Sequence, residues 1–188
     1  VPRHMCVGVP ERMSPTGEVI VPLDAAAVES AARRLLASGA AAIVVAFLHS
    51  YRNPAHERAA AEMIARIAPD LPVVTSAEVC PEYREYPRTS TAAVNAVLLP
   101  KVAPYISRLE ERLQERAVST PLHLMTSSGG IATSQIAKRF PVHLVESGPA
   151  AGVIGALFVA EDLHDERLSR RILALDIGGT TAQASLID

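Results

Sequence analysis

Residues 41–48 read AAIVVAFL, an unbroken apolar run of β-branched character that ends in His49 and Ser50. A strand that is apolar at every position is buried on both faces, and helices must cover both. The flanking sequence supplies them. Ala25, Val28, Ala31, Ala32, Leu35 and Leu36 recur at helical spacing, with Asp24 placed to cap the start and Gly39 to stop it. NPAHERAAAEMIARIAPD follows as a second helix, with Asn53 as cap and Pro54 at the first helical position. LPVVTSAEV is a second short strand. Such alternation predicts an α/β fold with a mostly parallel sheet and crossover helices. Ahead of it, Ser14, Pro15 and Gly17 turn the chain into the β-branched run 19–21, a loop and hairpin.

The character changes at CPEYREYPRTS, which carries charges, tyrosines and prolines. A solvated, salt-bridged turn is the default reading, with substrate contact by Tyr83, Tyr86 or Arg88 as its competitor. A long helix is expected over about 90–116, with Val94, Leu98, Val102, Tyr105, Ile106, Leu109 and Leu113 as its apolar stripe. Pro100 and Pro104 predict a kink or break in it. RLEERLQER, near its end, reads as a wet face. The expected division is a first lobe over 1–88, then a connecting helix and the start of a second lobe over 89–188.

Three glycine turns then follow apolar runs. Ser127, Ser128, Gly129 and Gly130 follow the predicted strand 122–125. Ser147, Gly148 and Pro149 follow a predicted strand 142–145 and open a helix that contains Gly152 and Gly155. In the last, strand 173–175 delivers Asp176 to Gly178, Gly179, Thr180 and Thr181, and the chain closes as a β-hairpin. Two readings fit the last turn. Asp and Gly are ordinary hairpin residues. Alternatively, glycines let backbone N–H groups approach an anion, the threonines add donors, and Asp176 holds the water shell of a Mg²⁺ that bridges phosphates. Ser147 and Gly148 divide between a structural cap and an anion site at a helix N-terminus. Gly152 and Gly155 read better as close helix packing.

Bulk properties exclude several classes. A net charge of −2 gives no phosphate footprint, and the absence of Trp argues against base stacking, so nucleic acid is not the expected partner. No apolar run reaches the ~20 residues of a membrane span, so none is expected. Cys6 and Cys80 form no CxxC and read as buried free thiols of a reducing, cytoplasmic protein. The chain opens on Val1 without a signal-peptide pattern. His49 and His56 lack any metal-ligand spacing and read as a helix-capping loop, while His123 and His143 read as core histidines.

The closing LDIGGTTAQASLID resembles the second phosphate-binding hairpin of the actin, sugar kinase and heat-shock ATPase fold. More narrowly, GVPERM with PLD, FLHSYRNPAHE, CPEYREYPRTSTAAVNAVLLP, MTSSGG, ESGPAAGVIGA and DIGGTT, in this order, are similar to the hydantoinase/oxoprolinase family. The likeness is to its A-type subunits, of the N-methylhydantoinase A and acetone carboxylase beta kind. The resemblance implies a partial actin-like fold and ATP-dependent chemistry in which phosphorylation of an amide oxygen makes a cyclic amide reactive, with ATP and Mg²⁺ as cofactors and a B-type subunit as partner. It implies a phosphate- and metal-binding turn at Asp176, Gly178, Gly179, Thr180 and Thr181, with Asp176 catalytic and the metal ligand. Ser127, Gly129 and Gly130, and likewise Ser147, Gly148 and Pro149, match its other turns. Gln183 departs from the pattern, which has an acidic residue there. The family's first DxGGT-type turn is not in this sequence, so an internal fragment, inactive alone, is expected. A non-catalytic lobe for assembly or regulation, an acetone carboxylase-type subunit and a small-molecule kinase are the competing readings.

Overall fold

The computed structural model describes residues 1–162, 171–179 and 181–187. They form two compact units, Val1–Lys101 and Val102–Asp188.

In the first unit β1 (Arg12–Met13) pairs antiparallel with β2 (Val19–Val21), as the turn residues predict. Helix α1 (Ala25–Ala37) begins where Asp24 accepts a hydrogen bond from the Ala27 N–H at 3.0 Å. It ends at Gly39, whose φ of +80° is open to glycine at no steric cost. Strand β3 (Ile43–Val45) lies parallel to β4 (Val73–Thr75), and α2 (Ala55–Ile67) is the crossover between them. Val28 and Ala32 of α1, Ile43 and Val45 of β3, and Ala60 and Ile64 of α2 make the core. The α2 cap lies one residue later than expected. Pro54 occupies the cap position, and Asn53 supports it by accepting from the Ala55 N–H and donating to the Gly17 carbonyl.

A single turn, α3 (Ser76–Val79), follows β4. Helix α4 (Glu85–Glu115) starts five residues before the expected Ser90 and runs on through Pro100 and Pro104 without a break. Both prolines are exposed, and the carbonyl that Pro104 leaves unpaired belongs to exposed Pro100, where water can satisfy it. The expected stripe is only partly right: Ile106 is fully buried, but Val94 and Tyr105 are exposed, and Arg88, Ala92, Asn95 and Ala96 hold the inner positions of the first turns.

The second unit contains two antiparallel hairpins. β5 (His123–Met125) pairs with β6 (Ile131–Thr133), and β7 (Ile172–Ile177) with β8 (Ala182–Ile187). Helix α5 (Ser134–Arg139) follows β6, capped by Thr133. The predicted strand 142–145 is a 3₁₀ turn, Pro141–Leu144, because proline at its start supplies helical φ and no ladder donor. Helix α6 (Ser147–Asp162) completes the unit. The α/β class and the closing hairpin are as expected. Among the described residues parallel pairing is confined to β3–β4, because the loops of the other three pairs are too short for a crossover.

Candidate functional site

The β7–β8 register pairs Asp176 with Gln183 and Ile177 with Ala182, and the turn closes through the Gly178 N–H on the Thr181 carbonyl at 2.9 Å. Strand β7 therefore runs two residues beyond the expected 173–175, and Asp176 sits inside it. The Gly178 N–H is taken up within the turn. What Gly178 and Gly179 leave open is space: a Cβ on Gly179 would meet nothing within 4 Å among the described residues. Asp176, Gly178, Gly179 and Thr181 are all exposed, so no apolar side chains bury the bend. Thr180 lies outside the described residues.

Alternation along β7 and β8 puts Asp176 and Gln183 on the face that also carries Ala174 and Ser185. That face meets α6. A Cβ on Gly152 would stand 3.8 Å from Asp176 Oδ2, an ordinary contact, so the small residue there lets helix and carboxylate come close. A Cβ on Gly155 would meet nothing described within 4 Å, so tight helix packing is not what fixes glycine there. The Asp176 carboxylate makes no hydrogen bond to any described residue, although its backbone belongs to the β7–β8 ladder. Gln183 Nε2 donates to Glu146 Oε2 at 3.2 Å, and Glu146, just ahead of α6, has a φ of +60°.

The turn 126–130 is held by its own bonds. Thr126 N–H donates to the Gly130 carbonyl at 2.8 Å, and Gly129 N–H to the Thr126 carbonyl at 3.0 Å. Ser127 directs both donors, N–H and hydroxyl, at the His143 carbonyl, at 2.8 and 3.2 Å. Gly129 has a φ of +81°, and a Cβ on it would touch Ile154 of α6 at 3.5 Å. Ser147 is the first residue of α6 and Gly148, the second, is exposed with nothing described within 4 Å of a Cβ. The N-terminal half of α6 thus touches both hairpins, through Gly152 at Asp176 and Ile154 at Gly129. His123 and His143 are exposed, contrary to the core reading; only the backbone carbonyl of His143 is engaged by the turn.

The first unit holds a polar cluster that the sequence reading missed. Glu57 is 0% exposed, on the inner face of α2. Its carboxylate accepts from the Phe47 N–H at 2.8 Å, the Ser76 hydroxyl at 2.7 Å and the Ala77 N–H at 2.9 Å, joining the chain beyond both parallel strands. Arg88, also 0% exposed, donates to Ser76 Oγ, the Glu82 carbonyl and the Phe47 carbonyl. The solvated-turn reading of CPEYREYPRTS therefore holds for Tyr83 and Tyr86, which are exposed, and fails for Arg88. Its guanidinium is desolvated because three acceptors converge on it. The Tyr51 ring stands edge-on to Tyr83, with centroids 5.7 Å apart, and Arg88 lies 5.8 Å from its centroid. His56 is engaged by Glu11 at 2.9 Å, a structural contact. Cys6 and Cys80 are both free, but Cys6 is exposed and not buried, at the residue that caps the 3₁₀ turn Arg3–Met5.

Among the described residues no three His, Cys, Asp or Glu side chains converge as a metal site, and no helix is long and apolar enough to cross a membrane. Two cavities, about 640 Å³ in the first unit and about 610 Å³ beside α5 in the second, are lined by none of the candidate residues.

Comparison with known proteins agrees with this anatomy. Residues 88–188 match Hydantoinase/oxoprolinase and residues 1–68 match the Hydantoinase/oxoprolinase N-terminal region. An uncharacterized protein of Methanocaldococcus jannaschii is 38% identical over 179 residues, 95% of this chain and 26% of its own length. Caprolactamase subunit alpha of Pseudomonas jessenii is 33% identical over 186 residues, again 26% of its length. The crystal structure of that ATP-dependent caprolactamase superposes with a TM-score of 0.87, covering 99% of this chain. A nucleotide-free structure of acetone carboxylase, from work on ATP-dependent acetone carboxylation, superposes with a TM-score of 0.89 at 33% identity, covering all of this chain and 26% of the other. The chain thus spans about a quarter of the length of the relatives it matches. With one family matching more than half of its residues, and the neighbouring region of the same family matching 1–68, the chain belongs to the hydantoinase/oxoprolinase family.

Proposed function

We propose that this chain is part of an ATP-dependent amidohydrolase that opens cyclic amides of the hydantoin or 5-oxoproline type. The observation that carries the reading is the exposed Asp176 beside an open Gly178–Gly179 turn, facing the N-terminal half of α6. An amide is a poor electrophile. Bound ATP would supply a phosphoryl group to its carbonyl oxygen; one water then adds to the activated carbon and expels the ring nitrogen, and a second water releases phosphate from the acyl phosphate that remains. The residues present fit a magnesium nucleotide: a free carboxylate suits a hard cation, and glycines without Cβ leave room for phosphate oxygens. Asp176 would hold the metal's water shell. The Gly179, Thr180 and Thr181 segment would line the phosphates, and Ser147 and Gly148 would offer the unpaired N–H groups of the α6 N-terminus. Ser127, Gly129 and Gly130 would act mainly by fixing the β5–β6 turn against α6.

The similarity to a caprolactamase subunit alpha supports a multi-subunit enzyme, for which a B-type hydantoinase subunit is the proposed partner. Two free cysteines suit a reducing cytoplasm. The equally close superposition on acetone carboxylase favours one second reading, phosphorylation of a ketone-derived or carboxylate oxygen in a carboxylase. The test is ATP turnover by the full-length protein with its partner subunit. Hydantoin, 5-oxoproline or caprolactam should stimulate ADP release matched by ring-opened product, and Asp176→Asn should abolish both. Stimulation by acetone and bicarbonate alone would select the second reading. Absence of Mg²⁺–nucleotide binding in calorimetry would overturn both.

A further inference from the structure

The hairpin face that meets α6 carries Asp176 and Gln183, and the Gln183 amide reaches Glu146 just ahead of that helix. Asp176 and Gln183 are directly opposite in the register, which places their Cβ atoms ~5 Å apart. The Gln183 amide nitrogen donates to Glu146 Oε2 at 3.2 Å. A carboxylate only accepts, so the nitrogen end of this amide must face it. Glu146 belongs to no helix or strand and sits at a positive φ immediately before α6. Neither Glu146 nor Asp176 pairs with a cationic side chain among the described residues. Among the described residues, a neutral donor on the residue opposite Asp176 holds Glu146, and no cationic side chain balances either carboxylate.

We infer that Gln183 is a positioning residue whose amide holds Glu146 beside Asp176, making Glu146 the second carboxylate of the nucleotide site. The inference rests on the proposed function and deepens it. A magnesium ion is commonly held by one or two carboxylates with water and phosphate oxygens completing its shell, which is the donor set these residues leave room for. A neutral residue at 183 suits that arrangement. A third carboxylate there would repel Glu146, whereas the amide binds it. Glu146 would meet the cation through water or directly, and Gln183 would act only through Glu146, as outer partners of metal ligands do.

The experiment measures Mn²⁺ affinity by electron paramagnetic resonance, in full-length protein with a non-hydrolysable ATP analogue. Metal-free analogue binding and thermal unfolding serve as controls. Glu146→Gln and Gln183→Leu should each weaken Mn²⁺ binding about tenfold. The double variant should be no weaker than the worse single one, because both break one contact. Metal-free analogue binding should stay within twofold of wild type. Wild-type Mn²⁺ affinity in both single variants, alongside loss of binding in Asp176→Asn, would overturn this inference and leave the proposed function standing. Additive losses would also overturn it, since Gln183 would then act independently of Glu146. Failure of wild-type protein to bind the analogue at all would overturn the proposed function, and this inference with it.

Discussion

Arg88 and Glu57 hold two charges out of water in the first unit, and neither touches the other. Ser76 stands between them, donating to Glu57 and accepting from Arg88. Each charge is tolerated because several hydrogen bonds converge on it, chiefly from backbone groups of residues 47, 77 and 82. Changing either side chain leaves buried hydrogen-bonding groups at these residues and at Ser76 without their partner. Arg88→Lys keeps the charge but cannot reach three divergent acceptors, and Glu57→Gln turns an NH₂ donor toward groups that are themselves donors. Each should destabilise the protein by roughly 3 kcal/mol, read as a lower midpoint in urea at unchanged slope. A loss under about 0.5 kcal/mol would mean that water replaces the missing bonds. Nothing in local sequence marks Arg88 for burial. Its neighbours are charged and aromatic, and the three groups that capture it come from residues 47, 76 and 82, brought together only by the fold. Glu57 was more legible. It lies three residues before Ala60 and seven before Ile64, on the inward stripe of α2, so the helical period already places it inside. Glu146 had no such signal: its contact with Gln183 spans 37 residues and exists only once the hairpin meets α6.

At the scale of elements, what local chemistry decides was readable. The α1 cap at Asp24, the glycine stop, the α2 crossover and the closing hairpin all follow from periods, caps and turn residues. Where two local signals compete, reading failed. Proline at 100 and 104 predicts a break, yet both stand on the exposed side of α4 and the helix continues through them. Residues 142–145 are apolar enough for a strand, yet Pro141 and a four-residue reach favour a 3₁₀ turn. A pairing that sequence did not suggest fixes α5 against α4: Lys138 Nζ lies 2.8 Å from Glu110 Oε2, with both side chains about three-tenths exposed. The hydrogen bond from Lys138, then that from Ser134, hold the Glu110 carboxyl below its ordinary 4.5. A carboxyl with a depressed folded value stabilises the fold at pH above 4.5, and that contribution disappears as pH falls through the folded value. Glu110→Gln should therefore lower stability at pH 7, by no more than about 1 kcal/mol for so open a pair, and the gap to wild type should close as pH falls through the folded value. Unfolding midpoints of the two proteins across pH 3–7 would show the gap closing on acidification; a constant gap would assign the loss to packing.

For the molecule as a whole, burial is divided unevenly between the two units. Nearly all of the buried apolar side chains belong to Val1–Lys101, whereas among described residues the second unit buries only Ile106 and Ala137 of this class. One face of β7–β8 meets α6. The other carries Leu173, Leu175, Ile177 and Leu186, each between 65% and 75% exposed, together with Ala182 and Ala184. Strand β7 is apolar at five of its six positions, the composition of a strand covered on both faces, yet the described residues cover only one. An uncovered row of four large apolar side chains on a two-stranded sheet is a site for association, through the face and through unpaired edges. The 188-residue protein should bind a hydrophobic dye and self-associate with rising concentration. Leu173→Lys with Leu175→Lys should suppress both. These residues contribute little to the core, so circular dichroism should be unchanged. Sedimentation velocity and dye fluorescence decide it. A wild-type protein that stays monomeric and dye-silent at high concentration would mean that the apolar face of this hairpin is covered in solution, and that the second unit is better packed than its buried side chains indicate.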